Sequence, residues 1–229
     1  MIHKNLEIVE EKIRRAAEKT GIRENDITLV VVSKTFSTDY ILAAYKKGQR
    51  IFGENKLQEV LKKIEELKDY NDIKFHFIGH IQSNKIKYFS NHFSLIQSVD
   101  KIEIAEKINM KANEGHFIQD ILIQVNLTKE EQKSGVFVEK LEELVNKVNV
   151  LKNLALCGFM YIPPYRENPE ENRVLFKEMK KLFDNYKIKL NNNDFKCLSM
   201  GMSDDFDIAI TEGSNMVRIG TAIFGSRDY

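Results

Sequence analysis

In "ITLVVVSKTF", residues 27 to 36, a block of apolar side chains stops at a lysine, Lys34. Two chemistries are open to an amine in that position. Lys34 either lays its stem on apolar surface and carries its charge to solvent, or it lies in an apolar mouth. In the second case the charged form loses hydration, its pKa falls, and the neutral amine can attack a carbonyl carbon. Schiff-base chemistry is what the second placement offers.

Two later stretches supply groups for an anion. In "SMGMSDDFDIAI", residues 199 to 210, a turn of small residues with Gly201 and Ser203 leads into a helical pattern. Free backbone N–H groups and the positive end of a helix dipole favour an anion at such a point. In "RIGTAIFG", residues 218 to 225, Gly220 lets backbone approach a ligand and Thr221 offers a hydroxyl. The plainer alternative is capping, since Ser203 and Asp204 are good N-cap types. Asp204 and Asp205 would repel a phosphate and are expected to face away from one.

Arg218, beside the second of these turns, is either an ion-pair partner or a ligand contact. Combined with Lys34 and a phosphate site, it fits pyridoxal 5'-phosphate (PLP), whose ring nitrogen takes an Asp or an Arg as its protein partner. An arginine does not give its proton to that nitrogen, so the ring stays unprotonated and is a poorer electron sink. Broad carbanion chemistry is then disfavoured. His76 and His80, four apart on one strand, lie about 13 Å apart and do not share a metal. His80 follows Gly79 at a strand end and either lines a pocket or serves structure. No P-loop, GxGxxG or serine–histidine–acid set is present.

The elements that must position these groups follow from periodicity. Residues 4 to 19 carry apolar positions at helical spacing. After Ile27, eight short apolar runs recur: "ITLVVVS", "RIFG", "KFHFIG", "FSLIQSV", "FIQDILIQVNL", "LALCGFM", "FKCLSM" and "NMVRIG". Helical patterns separate them over 38–47, 55–68, 82–89, 100–113, 137–149, 169–187 and 204–212. Near-continuous apolar strands alternating with helices mean a parallel sheet covered on both faces. Eight such units predict a (β/α)8 TIM barrel as one domain over 1–229, with a doubly wound open sheet as the competing architecture. Ligands lie at the carboxyl ends of parallel strands, where Lys34, "FGEN", "IGHIQSNK" and the two turns above all fall. The proline-bearing "YIPPYRENPE", residues 161 to 170, is expected as an ordered loop after the sixth strand.

Composition narrows the class further. With 35 basic and 34 acidic residues the net charge is +1, so no surface field points to nucleic acid or an anionic membrane. The charged N-terminus lacks a signal-peptide core, and no run approaches membrane-spanning length. A cytoplasmic location is expected. Cys157 and Cys197 lack metal-ligand spacing and are expected as buried thiols.

Taken in order, "VVVSKTF", "FGENKLQE", "FHFIGHIQSNK", "QVNLTKEEQKSGV", "LCGFMYIPP", "LSMGMSDDFDIAI" and "VRIGTAIFG" resemble the pyridoxal phosphate homeostasis protein family over essentially the whole chain. The resemblance implies a fold-type III barrel like the N-terminal domain of alanine racemase. It makes Lys34 the Schiff-base lysine and Arg218 the partner of the ring nitrogen. Met202, Ser203, Gly220 and Thr221 would surround the phosphate, with Met202 and Gly220 acting through backbone N–H groups. Asn55 and His80 would lie near the pocket, and Lys133 is either a secondary contact or a solvated loop lysine.

Racemases of this fold type add a C-terminal β-domain that carries a second base, and the chain ends at Tyr229 soon after its last strand motif. A PLP-binding role in vitamin B6 homeostasis without robust catalysis is therefore expected, with PLP-dependent apoenzymes as recipients and a monomer or weak homodimer as the assembly. The alternatives are a PLP enzyme acting on amino acids and a Schiff-base aldolase that uses Lys34 without PLP.

Overall fold

A computed structural model of the chain describes residues 1–130 and 134–225. Nine strands lie in one sheet among the described residues: β1 (Thr28–Val32), β2 (Ile51–Glu54), β3 (Lys74–Phe77), β4 (Leu95–Val99), β5 (Gln119–Asn126), β6 (Val136–Phe137), β7 (Leu154–Tyr161), β8 (Cys197–Ser199) and β9 (Met216–Ile219). Their order is β4-β3-β2-β1-β9-β8-β7-β5, and β4 also pairs with β5, which closes an eight-stranded barrel. Every registered pairing is parallel. This is the (β/α)8 barrel that the alternation of apolar runs predicts, and closure rules out the open sheet.

The helices are α1 (Ile2–Glu18), α2 (Thr38–Tyr45), α3 (Leu57–Glu66), α4 (Ile102–Glu114), α5 (Val138–Asn149), α6 (Arg173–Leu190), α7 (Phe206–Thr211) and α8 (Thr221–Phe224). Alternation along each strand sorts its side chains. On β1, Val31 joins the outer core with Leu6, Ile41 and Phe52, while Val30 points into the lumen with Leu95, Leu122, Met160 and Met216. Burying the outer set between barrel and helices is the main apolar contribution to stability.

Three details differ from the periodicity. The helix expected over 82–89 is a 3-10 helix, Ser83–Tyr88, in a stretch where Ser83 and Asn84 compete for backbone hydrogen bonds. The helix expected from 169 starts at Arg173, because Pro169–Asn172 forms a separate 3-10 turn in which the Asn168 side chain accepts the Glu170 N–H. The short β6 pairs only with β5 and lies outside the barrel ring. Both cysteines are free thiols, and burial pushes that of Cys157 up to about 12. No helix among the described residues is long and apolar enough to cross a membrane.

Candidate functional site

Lys34 leaves β1 at the carboxyl end of the barrel, half-buried, in a turn fixed from several sides. The carbonyl of Ser33 accepts from Phe36 N–H at 3.1 Å and from Lys63 Nζ at 2.8 Å. Thr35, directly after Lys34, has φ 71. A β-branched residue in that left-handed region is strained, and such strain persists only where surrounding contacts enforce it. Here the Thr35 N–H donates to Glu59 Oε2 at 3.3 Å, and the Phe36 ring packs 4.8 Å from that of Phe224 on α8. The lysine-bearing turn is thus joined both to α3 and to the last helix.

Behind this turn lies a buried ionic network. Glu54 Oε1 accepts from Ser33 Oγ at 2.6 Å and from Lys63 Nζ at 2.6 Å. Burial pushes the Glu54 carboxyl up, against the opposing pull of Lys63 and Ser33. The network joins the end of β1 to α3, and Lys34 follows it directly in the turn after Val32.

The strand registers show which expected site residues come together. Val32 pairs with Gly53, so Lys34 and Asn55 each follow two residues after a matched pair on neighbouring strands. On the other side Val31 pairs with Ile219, which sets Gly220 beside Val32. A Cβ on Gly220 would come 3.2 Å from the Val32 carbonyl oxygen, so a larger residue would require a shift of a few tenths of an ångström there. Asn55 Oδ1 is buried and has no hydrogen-bond partner among the described residues. Such an atom is costly to leave unsatisfied and calls for a hydrogen-bond donor there.

Arg218 lies deeper, in the lumen, and is buried. Its Nη1 donates to Ser199 Oγ at 2.6 Å and its Nη2 to the Tyr161 carbonyl at 2.9 Å. Burial pushes the guanidinium down to about 10, partly offset by Asp205, which leaves it cationic at neutral pH.

The turn after β8 is tied to the segment after β9 by Ser203, whose Oγ accepts the Ala222 N–H at 3.2 Å. Gly201 has φ +95, and a Cβ there would meet Phe206 Cα at 2.9 Å. Thr221 is exposed at the start of α8, and Met202 is exposed as well. The Met202 N–H, expected at a phosphate, donates instead to Asp205 Oδ1 at 2.7 Å. The other Asp205 oxygen accepts from Asn172 Nδ2 at 3.2 Å, and Asn172 Nδ2 reaches the Pro164 carbonyl at 3.3 Å. The proline-bearing loop is therefore fastened to the turn after β8.

His80 stands apart from Arg218. It is exposed, its Nδ1 lies 3.2 Å from Ser134 Oγ, and it borders two cavities. One, of about 340 Å³, is also lined by Asn55, Lys56, Gln58 and Lys85. The other, of about 200 Å³, is lined by Ile78, Gln124, Asn126 and Ile162 at the barrel mouth. Lys133 lies outside the described residues. No group of three metal-ligating side chains occurs among the described residues.

Sequence reasoning missed Glu54, Lys63, Gln97 and Ser199, and it gave Asp205 only as a charge expected to face away from a phosphate. A signal existed for the first two. Glu54 ends an apolar strand, and Lys63 lies three residues after buried Val60 on the inner face of α3, so each charge needed a partner.

Arg218 is a buried cationic donor that suits an acceptor atom of a ligand ring. The alanine racemase N-terminal domain family matches residues 5–228. A pyridoxal phosphate homeostasis protein of Aquifex aeolicus is 44% identical over 96% of this chain and 95% of its own. One of Haemophilus influenzae is 40% identical over 100% of this chain and 97% of its own. The structure of PipY from Synechococcus elongatus with PLP bound superposes at a TM-score of 0.85, with 30% identity over 98% of this chain and 100% of that one. The chain belongs to the pyridoxal phosphate homeostasis protein family, built on the barrel of the alanine racemase N-terminal domain.

Proposed function

We propose that the chain binds PLP at the carboxyl end of its barrel and serves intracellular PLP homeostasis as one cytoplasmic unit. It holds the cofactor and hands it to PLP-dependent apoenzymes rather than turning over a substrate. Bound PLP supplies an aldehyde, a phosphate and a ring nitrogen. In this reading Lys34 joins that aldehyde as a Schiff base, with loss of water. Ser203, Gly220 and Thr221 border the space for the phosphate, with Met202 beside them, and Asn55 and His80 border the mouth.

The observation that carries this reading is Arg218. It is buried beneath the strand ends, its guanidinium donates to Ser199 and to the Tyr161 carbonyl, and it has no acceptor to offer. A ring nitrogen facing it must be an unprotonated acceptor, which weakens the ring as an electron sink and supports a holding role over broad catalysis.

The test is spectral. Purified chain mixed with PLP is expected to give a visible absorption band that borohydride bleaches, with the added mass mapping to Lys34, and Lys34→Ala is expected to lose both. Absence of a lysine adduct in the unsubstituted chain would sink the reading. Solvent deuterium exchange at the α-carbon of amino acids at enzyme-like turnover would instead favour a racemase-like enzyme.

A further inference from the structure

A line of hydrogen bonds crosses the barrel lumen beneath the site. Arg218 Nη1 donates to Ser199 Oγ at 2.6 Å, and Ser199 Oγ donates to Gln97 Oε1 at 2.7 Å. Gln97 Nε2 then lies 2.9 Å from His76 Nδ1 and 3.3 Å from Met216 Sδ. All four polar side chains are buried: Ser199 and Gln97 at 0%, Arg218 at 4% and His76 at 5% exposure. In the strand ring β9 and β4 are opposite one another, so Gln97 braces Arg218 from the far wall.

A guanidinium only donates, so Ser199 accepts from Arg218. The Ser199 hydroxyl gives its own proton to Gln97 Oε1, and Gln97 Nε2 is turned to His76 and Met216. With the amide nitrogen donating, His76 Nδ1 is the acceptor and the ring proton lies on Nε2. Both N–H groups of the Gln97 amide then have partners, whereas the opposite orientation would take this acceptor away from the Ser199 proton. A buried chain satisfied throughout holds its members far more rigidly than a lone pair of groups does.

We propose that Gln97, acting through Ser199, is a positioning residue for Arg218. It keeps the Ser199 lone pair aimed at Nη1, and so fixes the plane of the guanidinium that faces the ligand. The site then accepts a ring nitrogen only in its unprotonated, acceptor form. This rests on the reading of Arg218 as the partner of the PLP ring nitrogen.

The test has one arm without ligand and one with it. In the ligand-free chain, the Arg218 guanidinium is expected to give separate Nη resonances by ¹⁵N NMR, assigned by their loss in Arg218→Lys, because pinned nitrogens rotate slowly. Gln97→Met, close in shape but unable to accept from Ser199, is expected to merge them. In the second arm, Gln97→Met is expected to weaken PLP binding on the order of tenfold and to shift the visible band. The same change made in an Arg218→Lys background is expected to add nothing, because both substitutions remove one function.

Unchanged resonances in Gln97→Met would overturn the proposal, as would losses that multiply in the double variant. If Gln97→Met does not fold, Ser199→Ala is read in the same two arms with the same outcomes. Failure of the unsubstituted chain to bind PLP would remove the cofactor reading, and the ligand-free arm would still decide whether Gln97 holds Arg218.

Discussion

The ammonium nitrogen of Lys63 stands 2.6 Å from Oε1 of Glu54, with the lysine side chain 9% exposed and the glutamate 0%. The same nitrogen donates to the carbonyl of Ser33, so one cation joins α3 to the end of β1 just before Lys34. A buried pair adds little net stability compared with an apolar pair, but removing one partner leaves a charge without compensation. Lys63→Met is therefore expected to cost about 3 kcal/mol by chemical denaturation. The double variant Lys63→Met/Glu54→Gln is expected to recover most of it. A single variant that loses less than about 1 kcal/mol would mean the pair is not what holds this turn.

Gly79 tests how tightly the mouth is built. A Cβ there would lie 2.7 Å from Asn55 Cα and closer still to the Asn55 carbonyl oxygen. Both are backbone atoms that cannot swing aside as a side chain end could. The Gly79 carbonyl is also held by Ser98 Oγ at 2.6 Å, so the strand end cannot retreat freely. Gly79→Ala is expected to push Asn55 away from Lys34, and to weaken PLP binding on the order of tenfold or more through misplacement of site residues. A titration that matches the unsubstituted chain would contradict the crowding.

The barrel and its strand ends are legible in the sequence because each leaves a local mark. Apolar runs of strand length mark β1 to β5 and β7 to β9, and a polar residue that ends such a run marks Lys34 or Asn55. Arg218 was visible for the same reason, since it interrupts the apolar run of β9. Its supports were not. Gln97 and Ser199 look like ordinary polar residues of lumen-facing positions. Their role depends on β4 being brought across a closed ring from β9 and its neighbour β8, which no spacing along the chain records. The engagement of the Met202 N–H by Asp205 was hidden for a related reason. Asp205 reads in the sequence only as a charge that should face away from a phosphate, and only the packing of Asn172 from the previous loop shows why it turns inward.

His76 gives the barrel a pH dependence whose sign is fixed. Burial, aided by the charge of Lys74, pushes its imidazole from 6.5 down to about 3. The folded chain thus keeps His76 neutral where the unfolded chain protonates it. The unfolded state binds more protons through this window, so stability rises with pH across it. The contribution is complete above pH 6.5 and is lost as pH falls toward 3. Between pH 7 and pH 5 His76 alone is expected to remove about 2 kcal/mol. His76→Gln retains an acceptor for Gln97 and is expected to flatten this part of the slope in denaturant titrations. Equal slopes for both chains would show that another group carries the acid sensitivity.

Asp205 separates two effects that act in opposite directions at the phosphate side of the site. As an anion near a phosphate it would repel the ligand, and its removal would then tighten binding. As the acceptor for the Met202 N–H and for Asn172 Nδ2, it shapes the turn after β8 and ties the proline-bearing loop to it. Both carboxylate oxygens are directed into these bonds, and Arg218 also attracts the charge, although burial still pushes the carboxyl up. Hydrogen bonds to a charged group are worth about 1.5 to 3 kcal/mol each, and a carboxylate whose oxygens are so engaged projects little field toward a neighbour. The turn-shaping role therefore outweighs repulsion. Asp205→Ala is expected to lower stability by about 2 kcal/mol and to weaken PLP binding on the order of tenfold, because the Ser203 and Gly201 backbone loses its shape. Tighter binding by Asp205→Ala in a PLP titration would show instead that the carboxylate acts chiefly as a repulsive charge, and that the freed Met202 N–H turns to the phosphate.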